Sequence, residues 1–419
     1  MKLKNFGRAA LALAASAVTV LGMTSCTLSY TVVYLFVTGS QYNQIASYKI
    51  QNDNGVLHPS NTVGSGGTDP IQAAVISTGN FLYVLNYGSG TAASPEISSI
   101  ALFSIGGSGT LTYQTSFSPK GFNTKNIAIN GSFLYALDEF APGGPGPKGT
   151  QSYGDISAFS IDGATGRLTA IPNTQQTDSN NLPLFYFPVG TNPTWLAVNG
   201  AFAYVAEQGP VGSTNPNDPP QAIFTYNQNA SNGQLTLTQS TPLPTGATQL
   251  TYVYATAQYI YALDAGPTGS TGFILPFTNS GGTLAAVTGA ARANNGQGSN
   301  PVFPSRIIKE SSHNFIWVSS QGINTTNGTP SSLLTAYVVN ANGQLNDASN
   351  GGNKIPVGTG PRCMVEDPSN QYVYTANFDD STITGKKIDQ AAGGLDNLPK
   401  AMPAPPGSPT WCEVTGSTF

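Results

Sequence analysis

Histidine is nearly absent from this chain, with two residues in 419. A Ser-His-Asp triad or a zinc centre needs clustered imidazoles, so neither has its parts here, and no metal is expected. Gly-x-Ser-x-Gly, a phosphate-binding glycine loop and Cys-x-x-Cys are also missing. Their absence removes the common serine-hydrolase, nucleotide and dithiol chemistries, and no cofactor is expected. Charge is scarce too: Lys, Arg, Asp and Glu make up 9% of the chain, against about 25% in a typical soluble domain. The net charge of −4 comes with no basic run, so a nucleic-acid partner is not expected. The apolar stretch Ala9 to Leu21 falls short of the roughly 20 residues that cross a bilayer as a helix. What fills the chain instead is 48 Gly and 30 Pro, with Asn, Thr, Ser and Gln supplying uncharged polarity. Gly, Pro and Asn are the residues that tight turns require.

Residues 1–26 read as a targeting segment. Lys2, Lys4 and Arg8 make a basic start, and the short apolar run follows. Met23-Thr24-Ser25-Cys26 resembles the bacterial lipobox, with Met in place of its usual Leu. The expectation is a lipoprotein signal peptide ending at a lipidated Cys26, which puts the mature protein outside the cytoplasm. Its lipid would anchor it in the bacterial cell envelope, at the periplasm or outer membrane. Cys363 and Cys412 are then candidates for a disulfide in an oxidising compartment. Nothing in the sequence marks an oligomer, and a monomer is expected.

From residue 30 to 419 one pattern returns seven times. An aromatic strand comes first: Leu35-Phe36-Val37, Phe81 to Val84, Phe133 to Ala136, Phe202 to Val205, Tyr259 to Ala262, Phe315 to Val318 and Tyr372 to Thr375. A second strand follows, and then a Gly-x-Leu step such as Gly55-Val56-Leu57, Gly109-Thr110-Leu111 or Gly166-Arg167-Leu168. Before each aromatic strand stands a small apolar segment, usually opened by Pro, as at Pro70, Pro193, Pro304, Pro361 and Pro409. Short strands repeated at this spacing predict an all-β, seven-bladed β-propeller with four strands per blade. The segment Pro409 to Val414 has no aromatic strand after it, and the strand at 33–38 has no apolar segment before it. The C-terminal strand is therefore expected to complete the N-terminal blade and close the ring, removing exposed edges.

What departs from the repeat is a candidate for function. The long loops at 141–154, 177–192, 209–220 and 294–304 are expected on one face of the propeller. The first residues of the inner strands open on that face, around the mouth of the central channel. They include Gln72, Lys125, Asn126, Thr194, Trp195, Gln249, Ser305, Arg306, Arg362, Cys363, Thr410 and Trp411. The ends of the aromatic strands reach the same rim with Asn86, Asp138, Glu139, Glu207, Asp264 and Asn377. A low-dielectric mouth carrying Lys125, Arg306 and Arg362 attracts an anion. Arg306 and Arg362 are candidates to stabilise an oxyanion, with Glu139 or Glu207 as base. Lys125, Asn126, Asp138, Trp195, Asp264 and Trp411 are candidates for ligand contacts. The plainer expectation is that Asp at a strand end bonds backbone, that Tyr83, Tyr135 and Tyr261 pack between blades, and that His58 and His313 lie at the surface.

The stretch Gly360-Pro361-Arg362-Cys363-Met364-Val365-Glu366-Asp367-Pro368-Ser369-Asn370, followed by Tyr372-Val373-Tyr374, resembles the seven-bladed propeller lactonase family. That family includes a type of 6-phosphogluconolactonase and a carboxymuconate cyclising enzyme. Its repeats typically read Gly-Pro-Arg-His, an apolar strand, Pro-Asp-Gly, and a Tyr-Val strand ending in Asn or Asn-Glu. Arg362 matches the motif's Arg, Asp138-Glu139 is similar to the Asn-Glu ending, and Cys363 stands where the motif has His. The resemblance implies lactone hydrolysis or formation at the channel mouth, on an anionic lactone such as a sugar-acid lactone. The other reading is a non-catalytic, surface-anchored propeller that binds a glycan, small ligand or protein; the fold accommodates both.

Overall fold

The computed structural model describes residues 31–91, 93–144, 153–209, 221–266, 272–288, 292–293, 302–323, 330–348 and 354–418. Cys26, with the whole segment 1–26, lies outside the described residues, as do most of the loops at 141–154, 209–220 and 294–304. Seven antiparallel sheets are arranged around one axis, each with a path of four strands and no helix among the described residues. The inner strands of blades 2 to 7 are Pro70–Val75, Phe122–Asn130, Pro193–Asn199, Leu250–Ala255, Val302–Lys309 and Pro361–Glu366. Blade 1 is completed as expected. The C-terminal strand Pro409–Thr418 pairs antiparallel with Thr31–Gly39, with Val37 opposite Cys412 and Leu35 opposite Val414.

Burial follows strand position. The second strand of each blade is covered on both faces, and Phe81–Asn86 or Tyr372–Asn377 accordingly read as nearly continuous apolar runs. Outer strands such as Leu57–Gly64 and Leu111–Phe117 are mostly exposed after their buried first Leu.

The two ends of the sequence repeat meet between neighbouring blades. The hydroxyl of Tyr83 donates to the Gly166 carbonyl at 2.6 Å, Tyr135 to Gly233 at 3.0 Å and Tyr374 to Gly55 at 2.7 Å. In blade 6 the Trp317 indole N–H takes the same role toward Gly393 at 2.9 Å. These glycines are needed twice over. Gly55 has φ of 69°, and a Cβ there would lie 2.5 Å from the Tyr372 ring of the blade beside it. The aromatic-and-glycine grammar is thus the joint between blades.

Candidate functional site

The inner strands all open in one way. The end of the second strand pairs with one residue of the inner strand, and a bulge follows at once. The pairs are Asn86 with Pro70, Asp138 with Thr124, Glu207 with Pro193, Asp264 with Leu250, Ser320 with Pro304 and Asn377 with Pro361. Just before this pair the backbone is left-handed at Asp69, Asn123, Asn192 and Gly360, which short polar residues and glycine tolerate best. Just after it come a bulge residue and then a residue facing into the ring. The register corrects blade 5: Leu250 takes the paired slot, so Tyr252, not Gln249, joins the ring. No proline marks this strand, and the backbone amides of Thr248 and Gln249 instead donate to the Asp264 carboxylate at 3.0 and 2.6 Å.

Most of these slots hold the ring together. Bulge hydroxyls of Thr194, Ser305 and Thr410 donate to the carbonyls of Leu250, Pro361 and Pro70 on the next blade. Gln72 bonds Ile127 through both amide atoms, at 2.9 and 2.7 Å. Asn126 does the same to Leu196, at 2.8 and 2.9 Å. Asn126, expected to contact ligand, is fully buried and serves as a tie between blades.

Arg306 is different. Its guanidinium lies over three rings, 4.8 Å from the Trp195 centroid, 5.2 Å from Tyr252 and 5.3 Å from Trp411. Trp195 and Trp411 stack at 5.8 Å and Trp195 meets Tyr252 at 4.6 Å. Blades 4 and 1 face each other across a ring of seven, so this stack fills the channel on its axis. Trp195 and Trp411, candidates for ligand contacts, turn ring faces to each other and to Arg306. One Arg306 nitrogen donates to the Ser305 carbonyl at 2.7 Å, and its Nε is buried with no partner. No described carboxylate forms an ion pair with it. Burial lowers the Arg306 pKa and pushes the Tyr252 hydroxyl up to about 12.

The other two cations are placed differently: Lys125 is ion-paired, and Arg362 is exposed to solvent. Lys125 forms an ion pair with Glu139 at 2.9 Å, and Glu139 also accepts from Asn123 at 3.2 Å. Arg362 lies 3.6 Å over the Phe378 ring. Burial lowers its pKa, while Asp379 and Asp69 act in the opposite direction. Asp69 was not foreseen. It is half-buried, its backbone carbonyl accepts from the Tyr87 amide at 2.9 Å, and its carboxyl is raised by burial and partly restored by Arg362. The signal for it was the recurring Asp, Asn or Gly before the inner strand.

Three carboxylates expected at the rim are instead buried beneath it. Asp264 is fully buried and accepts from the amides of Thr248, Gln249 and Gly266, the plainer role of a strand-end Asp. Glu207 is buried, accepts from the Gly190 amide at 2.7 Å, and is pushed up to about 8 by burial. Asp138 accepts from Thr124 at 2.5 Å, Ser157 at 3.0 Å and Gly121 at 3.1 Å, yet burial still raises it to about 7. Opposite it in register lies Asp155, fully buried, with neither oxygen hydrogen-bonded and its pKa raised by burial and by Asp138. Asp155 has no counterpart in the other blades, and only that break in the repeat could have flagged it. Glu413, also unforeseen, sits one step below the ring, accepts the Trp411 indole N–H at 3.4 Å, and is raised to about 7 by burial. Both histidines lie elsewhere: His58 on an outer strand beside Gln51, and His313 in a hairpin on the opposite face beside Glu310.

Cys363 and Cys412 form a disulfide between the inner strands of blades 7 and 1, with Cα atoms 5.6 Å apart. The ring slot that carries His in the lactonase motif is therefore taken by a covalent bond. Among the described residues no group of three or more His, Cys, Asp or Glu is placed to hold a metal ion.

Comparison with known proteins agrees with this architecture. The periplasmic gluconolactonase of Pseudomonas aeruginosa superposes with a TM-score of 0.66 at 14% identity, covering 92% of this chain and 99% of that one. A candidate 6-phosphogluconolactonase from Bacteroides uniformis gives a TM-score of 0.65 at 12% identity, covering 92% and 99%. A protein from Lactobacillus plantarum gives 0.66 at 16%, covering 92% and 100%. At these identities the likeness is one of fold. No curated protein sequence matches the chain. The model of the family described as lactonase, 7-bladed beta-propeller, matches residues 12–126 and 273–413. With more than half of its length matched, the chain belongs to the seven-bladed β-propeller lactonase family.

Proposed function

We propose that this protein binds an anionic lactone at the channel mouth, over the Trp195–Trp411 stack, and hydrolyses it, as an exported, lipid-anchored protein of the cell envelope. One observation carries the reading: Arg306 is a part-buried cation whose Nε is buried without an acceptor, and it has no carboxylate partner among the described residues. An uncompensated buried charge is costly, and an anionic ligand supplies what the protein does not. Its unbonded N–H groups point to either the substrate's anionic group or the oxyanion of an attacked ester carbonyl. Asp69, beside Arg362, is the carboxylate best suited to take a proton from attacking water, with Glu139 held by Lys125 in reserve. Water adds to the carbonyl carbon as its proton passes to the base, the bond from the carbonyl carbon to the ring oxygen breaks, and the base returns that proton to the departing oxygen to give the open-chain hydroxy acid.

Binding without turnover is the second reading. It is favoured by Cys363, which replaces the motif's His and is consumed in a disulfide. A panel of lactones, including glucono-1,5-lactone and its 6-phosphate, separates the two on the mature protein. The expected result is turnover that falls about 100-fold or more in Asp69→Asn, in line with loss of a general base. Tight binding of the product acids without turnover selects the second reading. Neither binding nor turnover refutes both.

A further inference from the structure

We propose that the Cys363–Cys412 disulfide is a redox-sensitive latch on the mouth, which holds Arg362 and Trp411 in register and releases them on reduction while the blades stay folded. Each cysteine is the chain neighbour of a mouth residue, Arg362 before Cys363 and Trp411 before Cys412. The bond joins blade 7 to the strand that closes the ring.

The other seams show why this one is special. Inner strands of successive blades are tied by hydrogen bonds from Thr410 to Pro70, Gln72 to Ile127, Asn126 to Leu196 and Thr194 to Leu250. The Lys309 amide bonds the Tyr254 hydroxyl between blades 5 and 6, and Ser305 bonds Pro361 between blades 6 and 7. Between blades 7 and 1 the described inner strands have no such tie apart from the cysteines themselves. A hydrogen bond re-forms whenever the seam closes, whereas a disulfide once reduced does not. The covalent tie is therefore the one joint in this ring that chemistry can open and keep open. Both sulfur residues are buried, so a thiol reaches them only when the seam parts. A dithiol such as dithiothreitol supplies two electrons and two protons, the S–S bond breaks to two cysteine thiols, and the reagent leaves as its cyclic disulfide.

The stacked pair Trp195–Trp411, at 5.8 Å, is a built-in reporter, because coupled indoles give an exciton couplet in far-ultraviolet circular dichroism. Reduction is expected to abolish the couplet, leave the β-sheet signal and a cooperative melt in place, and weaken 6-phosphogluconate binding at least tenfold. The Cys363→Ser/Cys412→Ser variant should reproduce all of this without reductant. An unchanged couplet in both the reduced protein and the variant overturns the latch, and so does global unfolding on reduction, which would make the bond a structural staple. The affinity readout rests on the anion-binding reading. If the oxidised protein binds no anion, that reading fails alone and the couplet decides the latch.

Discussion

Replacing Arg306 by methionine separates stability from function in this channel. Arg306 is only partly withdrawn from water, which costs up to several kcal/mol after relaxation, and its buried Nε without an acceptor adds about 1–3 kcal/mol. Against this stand three ring faces at 4.8, 5.2 and 5.3 Å, each worth about 0.5–2 kcal/mol. One hydrogen bond to the Ser305 carbonyl at 2.7 Å contributes about 1.5–3 kcal/mol. The two sides nearly cancel, so in the unliganded protein Arg306 adds little net stability. Methionine has a similar unbranched stem and a polarisable sulfur to set against the same rings. Arg306→Met is therefore expected to be within about 2 kcal/mol of wild type, on the stabilised side, as when buried charges are replaced by apolar residues of similar size. Anion binding should behave in the opposite way. Truncating one partner of a buried charge pair costs about 2–5 kcal/mol, so affinity for gluconate and 6-phosphogluconate should fall at least about 30-fold. Urea denaturation gives the first quantity and isothermal titration calorimetry the second. A variant that binds these anions as wild type does, or that loses more than about 4 kcal/mol of stability, refutes the assignment of Arg306 as an uncompensated anion seat.

Two further perturbations test the frame around the mouth. Deleting residues 405–419 removes the strand that pairs with Thr31–Gly39 and the disulfide with sequence separation 49. That crosslink alone is worth about 4 kcal/mol in the loop-entropy account, so the truncated protein should melt far lower or fail to fold, and an unchanged melting temperature would sink the closure. The Asp138–Asp155 pair should make stability pH-dependent. Raised folded pKa values mean that the folded state keeps a proton the unfolded state releases, so the pair's contribution is full near pH 4 and is lost as pH rises through about 7. Asp155→Asn removes the like charge and lets an amide donate to Asp138. It should raise stability at pH 8 by on the order of 1–3 kcal/mol and leave it nearly unchanged at pH 4; denaturation curves at the two values decide, and equal effects at both would exclude a proton held between the carboxyls.

The propeller, its closure and its blade joints were legible because each copy of the repeat obeys the same packing demand. Seven aromatics must meet seven left-handed glycines, and a pattern enforced seven times survives noise in any one copy. Blade 5 shows the limit. Its inner strand, like that of blade 3, lacks the proline that marks the other five, and the true register, with Tyr252 beside Trp195, depends on a bulge that only backbone pairing reveals. The cations Arg306, Arg362 and Lys125 stood out as breaks in an uncharged sequence, but their differing states did not. Whether a cation is free depends on which carboxylates reach it. Glu139 and Asp69 approach from other segments, while Glu207 and Asp264 turn inward to backbone amides. Side-chain direction at a strand end is set by the loop that follows, and composition carries no trace of it.

The ring slots explain why the site lies where it does. A closed ring of seven inner strands needs a tie at each seam, and hydroxyls, amides and one disulfide provide them. A slot that ties blades cannot also bind a ligand, because its polar atoms are satisfied. The slots freed from that duty are those whose seam is tied by a neighbour. Ser305 secures blades 6 and 7, so Arg306 beside it is released to face the axis; Thr194 does the same for Trp195, and Thr410 for Trp411. The three residues so released, Arg306, Trp195 and Trp411, meet at the channel axis together with Tyr252, whose seam is tied instead by the Lys309 amide and the Tyr254 hydroxyl. In blade 7 the order is inverted. Cys363 makes the tie from the ring slot, and Arg362 in the bulge slot is released toward the rim, where Phe378 and two carboxylates receive it. A substitution that exchanges these duties, Ser305→Ala, should therefore weaken both at once: the seam loses its hydrogen bond, and the carbonyls of Pro361 and Ser319 lose a donor. The expected signature is a loss of about 1 kcal/mol in stability accompanied by weaker anion binding, since Arg306 is anchored to the carbonyl of the same residue. A stability loss with affinity fully retained would show that the tie and the site are independent.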